Sequence, residues 1–108
     1  MPNNKSQELE ILVAKIQKEL APTAEIIHDA KLPGRKSKRS RQIDVLVRQK
    51  VGQYDMTIII DCKDHARPVD VKGVEEFHGL VDDVGANKGA LAAQQDLLKL
   101  LKKELWDS

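Results

Sequence analysis

Met56-Thr-Ile-Ile-Ile-Asp-Cys-Lys63 decides the fold. Thr57 to Ile60 is β-branched throughout, and so short an apolar run reads as a strand buried on both faces. Such a strand does not end in an acid, a thiol and an amine unless those groups have a task or meet water there. Successive strand side chains point to opposite faces, so Asp61 and Lys63 share one face and Cys62 takes the other. A carboxylate and an ammonium one pleat apart, at the end of a buried strand, form a candidate site for a metal ion and a phosphate.

Moving toward the N-terminus, Gly52-Gln53 supplies a turn and residues 42–48 supply a second strand. Its alternation puts Ile43, Val45 and Val47 on one face and Asp44, Leu46 and Arg48 on the other. A connection this short makes an antiparallel hairpin with 55–63. Asp44 begins its strand and Asp61 ends its own, so the hairpin brings them together. Two close carboxylates repel unless a cation, a proton or a basic residue lies between them. Lys63 partly serves, and a divalent metal serves better. Residues 24–29 read as a first strand. Between the strands, 31–41 form a basic loop holding Lys31, Arg35, Lys36, Lys38, Arg39 and Arg41. It is either a solvated surface loop or a contact for nucleic-acid phosphates. It has no aromatic residue, which argues against base stacking there. Residues 1–5 form a loose start. Ser6 then caps a helix over about 6–20, with Leu9, Leu12, Val13, Ile16 and Leu20 at helical spacing and Pro22 beyond its end. Glu10 lies beside that apolar stripe and, taken alone, reads as a solvated helix carboxylate.

Toward the C-terminus, 64–70 is a polar loop in which His65 stands just past the Asp-Cys-Lys end. Asp70 is a plausible N-cap for a helix over 71–84, marked by Val74, Phe77, Leu80, Val81 and Val84. His78 adjoins that stripe and reads as a packing or surface residue. Gly85-Ala-Asn-Lys-Gly89 turns the chain into a short strand at 89–93, parallel to 55–63 through a right-handed crossover. Leu97, Leu98, Leu101 and Leu105 mark a last helix over about 94–106, where Trp106 covers the core edge or makes a subunit contact. The 108 residues suit a single domain, and 41% hydrophobic with 3% aromatic content means a core of aliphatic side chains. The single cysteine excludes an internal disulfide and fits a reducing, cytoplasmic setting. No apolar run approaches ~18 residues, which argues against a membrane span, and the N-terminus shows no signal-peptide pattern.

Ile43-Asp44-Val-Leu-Val47, Ile59-Ile-Asp61-Cys-Lys63, Pro68-Val69 before the helix and Gly85-Ala-Asn-Lys-Gly89 follow one another in a pattern that resembles the PD-(D/E)xK nuclease superfamily. Within it the pattern is similar to the Mrr-like (type IV) restriction endonucleases. The resemblance covers about 40–93, and Leu9-Glu10 stands where the family often has an acid. Asp61 replaces the usual Glu, and Ile43 precedes Asp44 where many relatives have Pro. After 89–93 relatives continue with a small-residue turn, a helix and often a fifth strand. Here Gln94-Gln95 leads into the leucine-rich helix instead. The expectation is a minimal core completed by a second copy, as a homodimer, or by a partner subunit.

The resemblance implies an α/β, restriction-endonuclease-like core in α-β-β-β-α-β order, with a mixed central sheet flanked by helices and a further C-terminal helix. It implies hydrolysis of DNA phosphodiester bonds with Mg²⁺, or Mn²⁺ in its place. Asp44, Asp61 and the backbone carbonyl of Cys62 would hold the metal, with Glu10 completing the site directly or through water. Lys63 would orient or deprotonate the attacking water and offset charge on the transition state. Cys62 would be a core residue rather than a nucleophile. The basic residues of 31–41 would hold the phosphate backbone. A second reading is an inactive or weak nuclease-fold domain that binds nucleic acid or assembles with a partner. A third treats the charges as edge salt bridges, but exposed pairs contribute only ~0–1 kcal/mol and leave the polar strand end unexplained.

Overall fold

A computed structural model describes residues 5–63 and 70–93. The elements are α1 (Lys5–Leu20), β1 (Glu25–Pro33), β2 (Ser40–Val51), β3 (Tyr54–Lys63), α2 (Val71–Val84) and β4 (Lys88–Ala93). The strands form one mixed sheet in the order β1-β2-β3-β4. The first three are an antiparallel meander, and β4 runs parallel to β3. This is the α-β-β-β-α-β order of the α/β, restriction-endonuclease-like core that the resemblance implies. The 64–69 loop with His65, the entry residues Pro68 and Val69, and the 94–106 helix with Trp106 lie outside the described residues.

The sheet is covered on both faces. On one, Leu9 and Val13 of α1 pack with Val45, Val47, Ile60 and Cys62. On the other, Phe77, Leu80, Val81 and Val84 of α2 pack with Ile43, Leu46 and Ile59. Ile59 and Ile60, 0% and 5% exposed, point to opposite layers, as a strand buried on both faces requires. Asp70 caps α2 by accepting the Gly73 amide N–H at 2.8 Å. Gly85 ends the helix at φ 69°, a left-handed conformation that glycine adopts without a side-chain clash. A Cβ on Gly89 would lie 2.5 Å from Val81, so β4 packs on α2 only because that position has no side chain.

Two features of the β1–β2 hairpin differ from the sequence expectation. First, both strands are longer. They pair as far as Pro33↔Ser40, so the stretch 31–41 is a loop only at its tip, where the Gly34 amide donates to the Arg39 carbonyl at 2.7 Å. Second, the alternation of faces breaks in both strands at one level. Ile43 packs in the α2 layer with Leu46, whereas Val45 and Val47 pack in the α1 layer, which corrects the expectation that the three share a face. In β1, Ile26 packs toward α1 while Ala30 and Leu32 pack toward α2. The pivot is Asp29, at φ 58°. It stands between the registered pairs His28↔Val45 and Ala30↔Ile43, opposite Asp44. Asp is among the few residues that tolerate the left-handed region, and its carboxylate here accepts from the Gln42 side-chain amide. The two strands turn over together, so their register survives while their inward faces swap.

Candidate active site

The β2–β3 ladder runs from Val51↔Tyr54 to Val45↔Ile60. One step further, Asp44 and Asp61 stand opposite each other. There the pairing stops, and the Asp44 carboxylate Oδ2 accepts the amide N–H of Cys62 at 2.8 Å. Asp44 stands where the inward face of β2 changes between Ile43 and Val45. Lys63 Nζ donates to Asp61 Oδ2 at 2.9 Å, and alternation along β3 puts both on the face opposite Cys62. The sequence-predicted trio of Asp44, Asp61 and Lys63 is thus assembled at one end of the sheet.

Glu10 arrives from α1, on the face where Cys62 is buried. Its Oε1 accepts from His28 Nε2 at 2.9 Å, with the Glu10 side chain only 13% exposed. Burial pushes the Asp44 carboxyl up to about 6; the Cys62 amide pulls the other way, and Asp61 and Glu10 add to the rise. Glu10 is therefore within electrostatic reach of Asp44. Burial first, then Asp44, Glu10 and Asp61, push the Cys62 thiol up to about 12. A thiol held protonated is inert as a nucleophile, which agrees with its place in the core. Lys63 is held above the usual lysine range, first by its hydrogen bond to Asp61.

These donors suit a hard cation. Among the described residues no three His, Cys, Asp or Glu side chains converge closely enough to form a metal cluster. The reason is visible in the sheet: Glu10 and Asp61 approach Asp44 from opposite faces. Mg²⁺ and Mn²⁺ sites are commonly built from one or two carboxylates completed by waters and substrate phosphate, so Asp44 and Asp61 with a strand-end carbonyl fit such an ion. Glu10 fits as an outer partner. Among the described residues the site offers carboxylate and carbonyl oxygens, which suit a hard cation better than a soft one.

The six basic residues of 31–41 divide into two sets. Arg41 Nη1 donates to Asp83 Oδ2 at 2.5 Å, and Lys36 Nζ donates to Asp82 Oδ2 at 2.5 Å. Asp83, 5% exposed, also accepts from the Lys36 and Ser37 amides and the Ser37 hydroxyl, at 2.8, 3.0 and 2.7 Å. Together these bonds hold its carboxyl well below the usual carboxylate range, the Ser37 hydroxyl contributing most. Lys31, Lys38 and Arg39 are exposed and line a shallow concavity at the hairpin tip with Leu32, Pro33, Gly34 and Ser40. Arg35 packs its guanidinium over Gly85. No ion pair involves these four among the described residues. Among the described residues, Lys31, Arg35, Lys38 and Arg39 thus have no ion-pair partner, while Lys36 and Arg41 are tied to Asp82 and Asp83.

Sequence reasoning passed over Asp83, His28 and Asp29. Asp82-Asp83 did carry a signal, because acids at a helix C-terminus oppose the helix dipole and so call for a local reason. His28 and Asp29 carried none, since their importance depends on which helix covers which face. His78 is exposed on α2, as expected of a packing or surface residue.

The sequence model of a family described as restriction endonuclease, the Mrr catalytic domain, matches residues 3–104. The crystal structure of a protein of unknown function, AF1548, matches with a TM-score of 0.63 at 21% identity, covering 83% of this chain and 47% of that one. The chain thus spans about half the length of that protein, and at this identity the similarity speaks for the fold alone. No curated protein matches.

Proposed function

The chain belongs to the Mrr-type restriction endonuclease family, and from that premise we propose that it is a divalent-metal-dependent endonuclease acting on DNA phosphodiester bonds. The observation that carries this reading is the placement of Asp44 and Asp61 one step beyond the last β2–β3 pair, Val45↔Ile60, with the Cys62 amide on Asp44 at 2.8 Å and Lys63 Nζ 2.9 Å from Asp61. In the proposed site Asp44, Asp61 and the Cys62 carbonyl hold Mg²⁺ or Mn²⁺. A bound cation of this kind supplies Lewis-acid polarisation of the phosphate and a more acidic water. Lys63 leaves Asp61 to donate to the phosphate oxygens or to the attacking water, where its charge opposes the negative charge of the transition state. The Cys62 amide holds Asp44 in place throughout. Lys31, Arg35, Lys38 and Arg39 meet the phosphate backbone, while Lys36 and Arg41 keep the tip in position. Contacts of this kind orient a substrate without reading its sequence.

The test has two parts. Calorimetric titration with Mn²⁺ should show binding that disappears in Asp44→Ala and Asp61→Ala. Incubation with plasmid and Mn²⁺ should show nicking, and Lys63→Ala should keep the metal yet lose about 100-fold or more of the rate. Absence of nicking at high protein concentration would overturn the proposal. A second reading, nucleic-acid binding without cleavage, is favoured by Lys63 occupying an Asp61 oxygen that a cation would use. It expects retention of plasmid in a gel shift with no nicking under any divalent ion.

A further inference from the structure

His28 is the last β1 side chain to face α1 before the strand turns over at Asp29. It is registered with Val45, the immediate neighbour of Asp44. Its Nε2 lies 2.9 Å from Glu10 Oε1. An ionised carboxylate only accepts, so the ring nitrogen is the donor in this bond. Among the described residues no other hydrogen bond is made to the Glu10 carboxylate. Glu has three rotatable side-chain bonds, and on a helix flank its head would otherwise turn to water. Here the side chain is 13% exposed, on the α1 face where Cys62 is buried, and the Cys62 amide donates to the Asp44 carboxylate. A strand-borne imidazole thus fixes a helix-borne carboxylate beside the Asp44–Asp61 pair.

We infer that His28 is a positioning residue of the metal site, holding Glu10 at the distance from Asp44 at which its second oxygen serves the bound cation or that cation's water. This rests on the proposed metal-dependent function and adds to it a residue from β1. The imidazole does not touch the cation. It donates one hydrogen bond to Glu10 Oε1 and leaves Oε2 for the site. Partners of this outer kind commonly change metal affinity about 10–100-fold when removed.

The experiment measures the Mn²⁺ dissociation constant without DNA, by electron paramagnetic resonance of the free ion, for the wild type, His28→Ala, His28→Gln, Glu10→Gln and the double variant His28→Ala/Glu10→Gln. Circular dichroism confirms that each is folded, as expected for substitutions of a surface-facing histidine. Binding should weaken about tenfold or more in His28→Ala. It should stay near wild type in His28→Gln, whose side-chain amide offers an N–H at similar reach. The double variant should match Glu10→Gln, because His28 acts only through that carboxylate. Wild-type affinity in His28→Ala would overturn the inference while leaving the metal site intact. So would a loss that persists in the Glu10→Gln background, which would make His28 a ligand in its own right. Wild-type protein that binds no Mn²⁺, or binds it equally well without Asp44 and Asp61, would instead overturn the proposed function and this inference with it.

Discussion

Asp44 answers two opposed demands with one carboxyl group. Burial, Asp61 and Glu10 favour its neutral form and bring it to about 6, while the Cys62 amide favours the anion. In the unfolded chain the same group titrates near ~3.9. Between these values the native state keeps a proton that the unfolded chain has lost. Stability therefore falls as pH rises through that window and levels off above it. Asp44→Asn removes this dependence and can still accept from the Cys62 amide. Its melting temperature should gain on the wild type as pH rises from about 4 to 7, in thermal melts followed by circular dichroism, while Mn²⁺ binding is lost. The same titration means that Mn²⁺ should raise the wild-type melting temperature more at pH 7.5 than at pH 5. The Asp44–Asp61–Lys63 trio was legible because a short hairpin and strand parity are local properties of the sequence. Glu10 was only partly legible, since a helix position beside an apolar stripe does not say what the sheet offers opposite it. His28 offered nothing to read until the covering helix was known.

The β1–β2 hairpin is the element that joins the site to the basic tip. Its outer end is tied down by Asp83 through three kinds of donor from Lys36, Ser37 and Arg41. Asp83→Ala should lower the melting temperature by roughly 5 °C or more, with faster amide exchange at Lys36 and Ser37 than elsewhere in the sheet. Because the Asp83 carboxyl is held below its ordinary range, its contribution is present above the unfolded value near ~3.9 and is lost as pH falls below it. Exchange at the same amides should rise in acid before the sheet unfolds. At the inner end, Asp29→Val should cost ~1–2 kcal/mol because a β-branched residue resists the left-handed region. Asp29→Gly should fold without that penalty, and chemical denaturation compares the two. The sequence placed these strands correctly but stopped them short, at 29 and 42. The charged run and Pro33-Gly34 look like a loop, and the partner that straightens it is an acid some forty positions away in α2. The broken alternation at Asp44 was hidden for a similar reason: Ile43, Val45 and Val47 have perfect period two, and only the matching turn at Asp29 overrides it.

At the scale of the molecule, two aliphatic layers sandwich a sheet whose inner strands are apolar on both sides. Ile59→Ala, at a position 0% exposed, should cost ~2–5 kcal/mol by denaturant unfolding. Ile11→Ala, 45% exposed on α1, should stay within about 0.5 kcal/mol. Among the described residues no helix is long and apolar enough to cross a membrane. The formal net charge of +1 gives little attraction for a polyanion as a whole, so the proposed DNA binding would depend on where the charges stand. Lys38→Ala and Arg39→Ala should each reduce the salt slope of DNA binding by ~0.9. Lys36→Ala and Arg41→Ala should act mainly on thermal stability, because those cations already have carboxylate partners. The layers and their order were readable from periodicity. The division of the basic residues into fixed and free sets was not, because it depends on contacts between β2 and the far end of α2.

Between the pivot at Asp29 and the tip, the hairpin carries four registered pairs, Ala30↔Ile43 to Pro33↔Ser40. At ~3.3 Å per residue that is a rigid span of roughly 13 Å, on the order of four nucleotide rises of ~3.4 Å along a strand. Fixed at one end by Asp44's place in the sheet and at the other by Asp83, the hairpin works as a ruler. For the proposed substrate it would set the offset between the proposed scissile bond and phosphates held at the tip. Cleavage of duplexes with ends stepped toward the cut on one side should hold steady and then drop once fewer than about four nucleotides remain there.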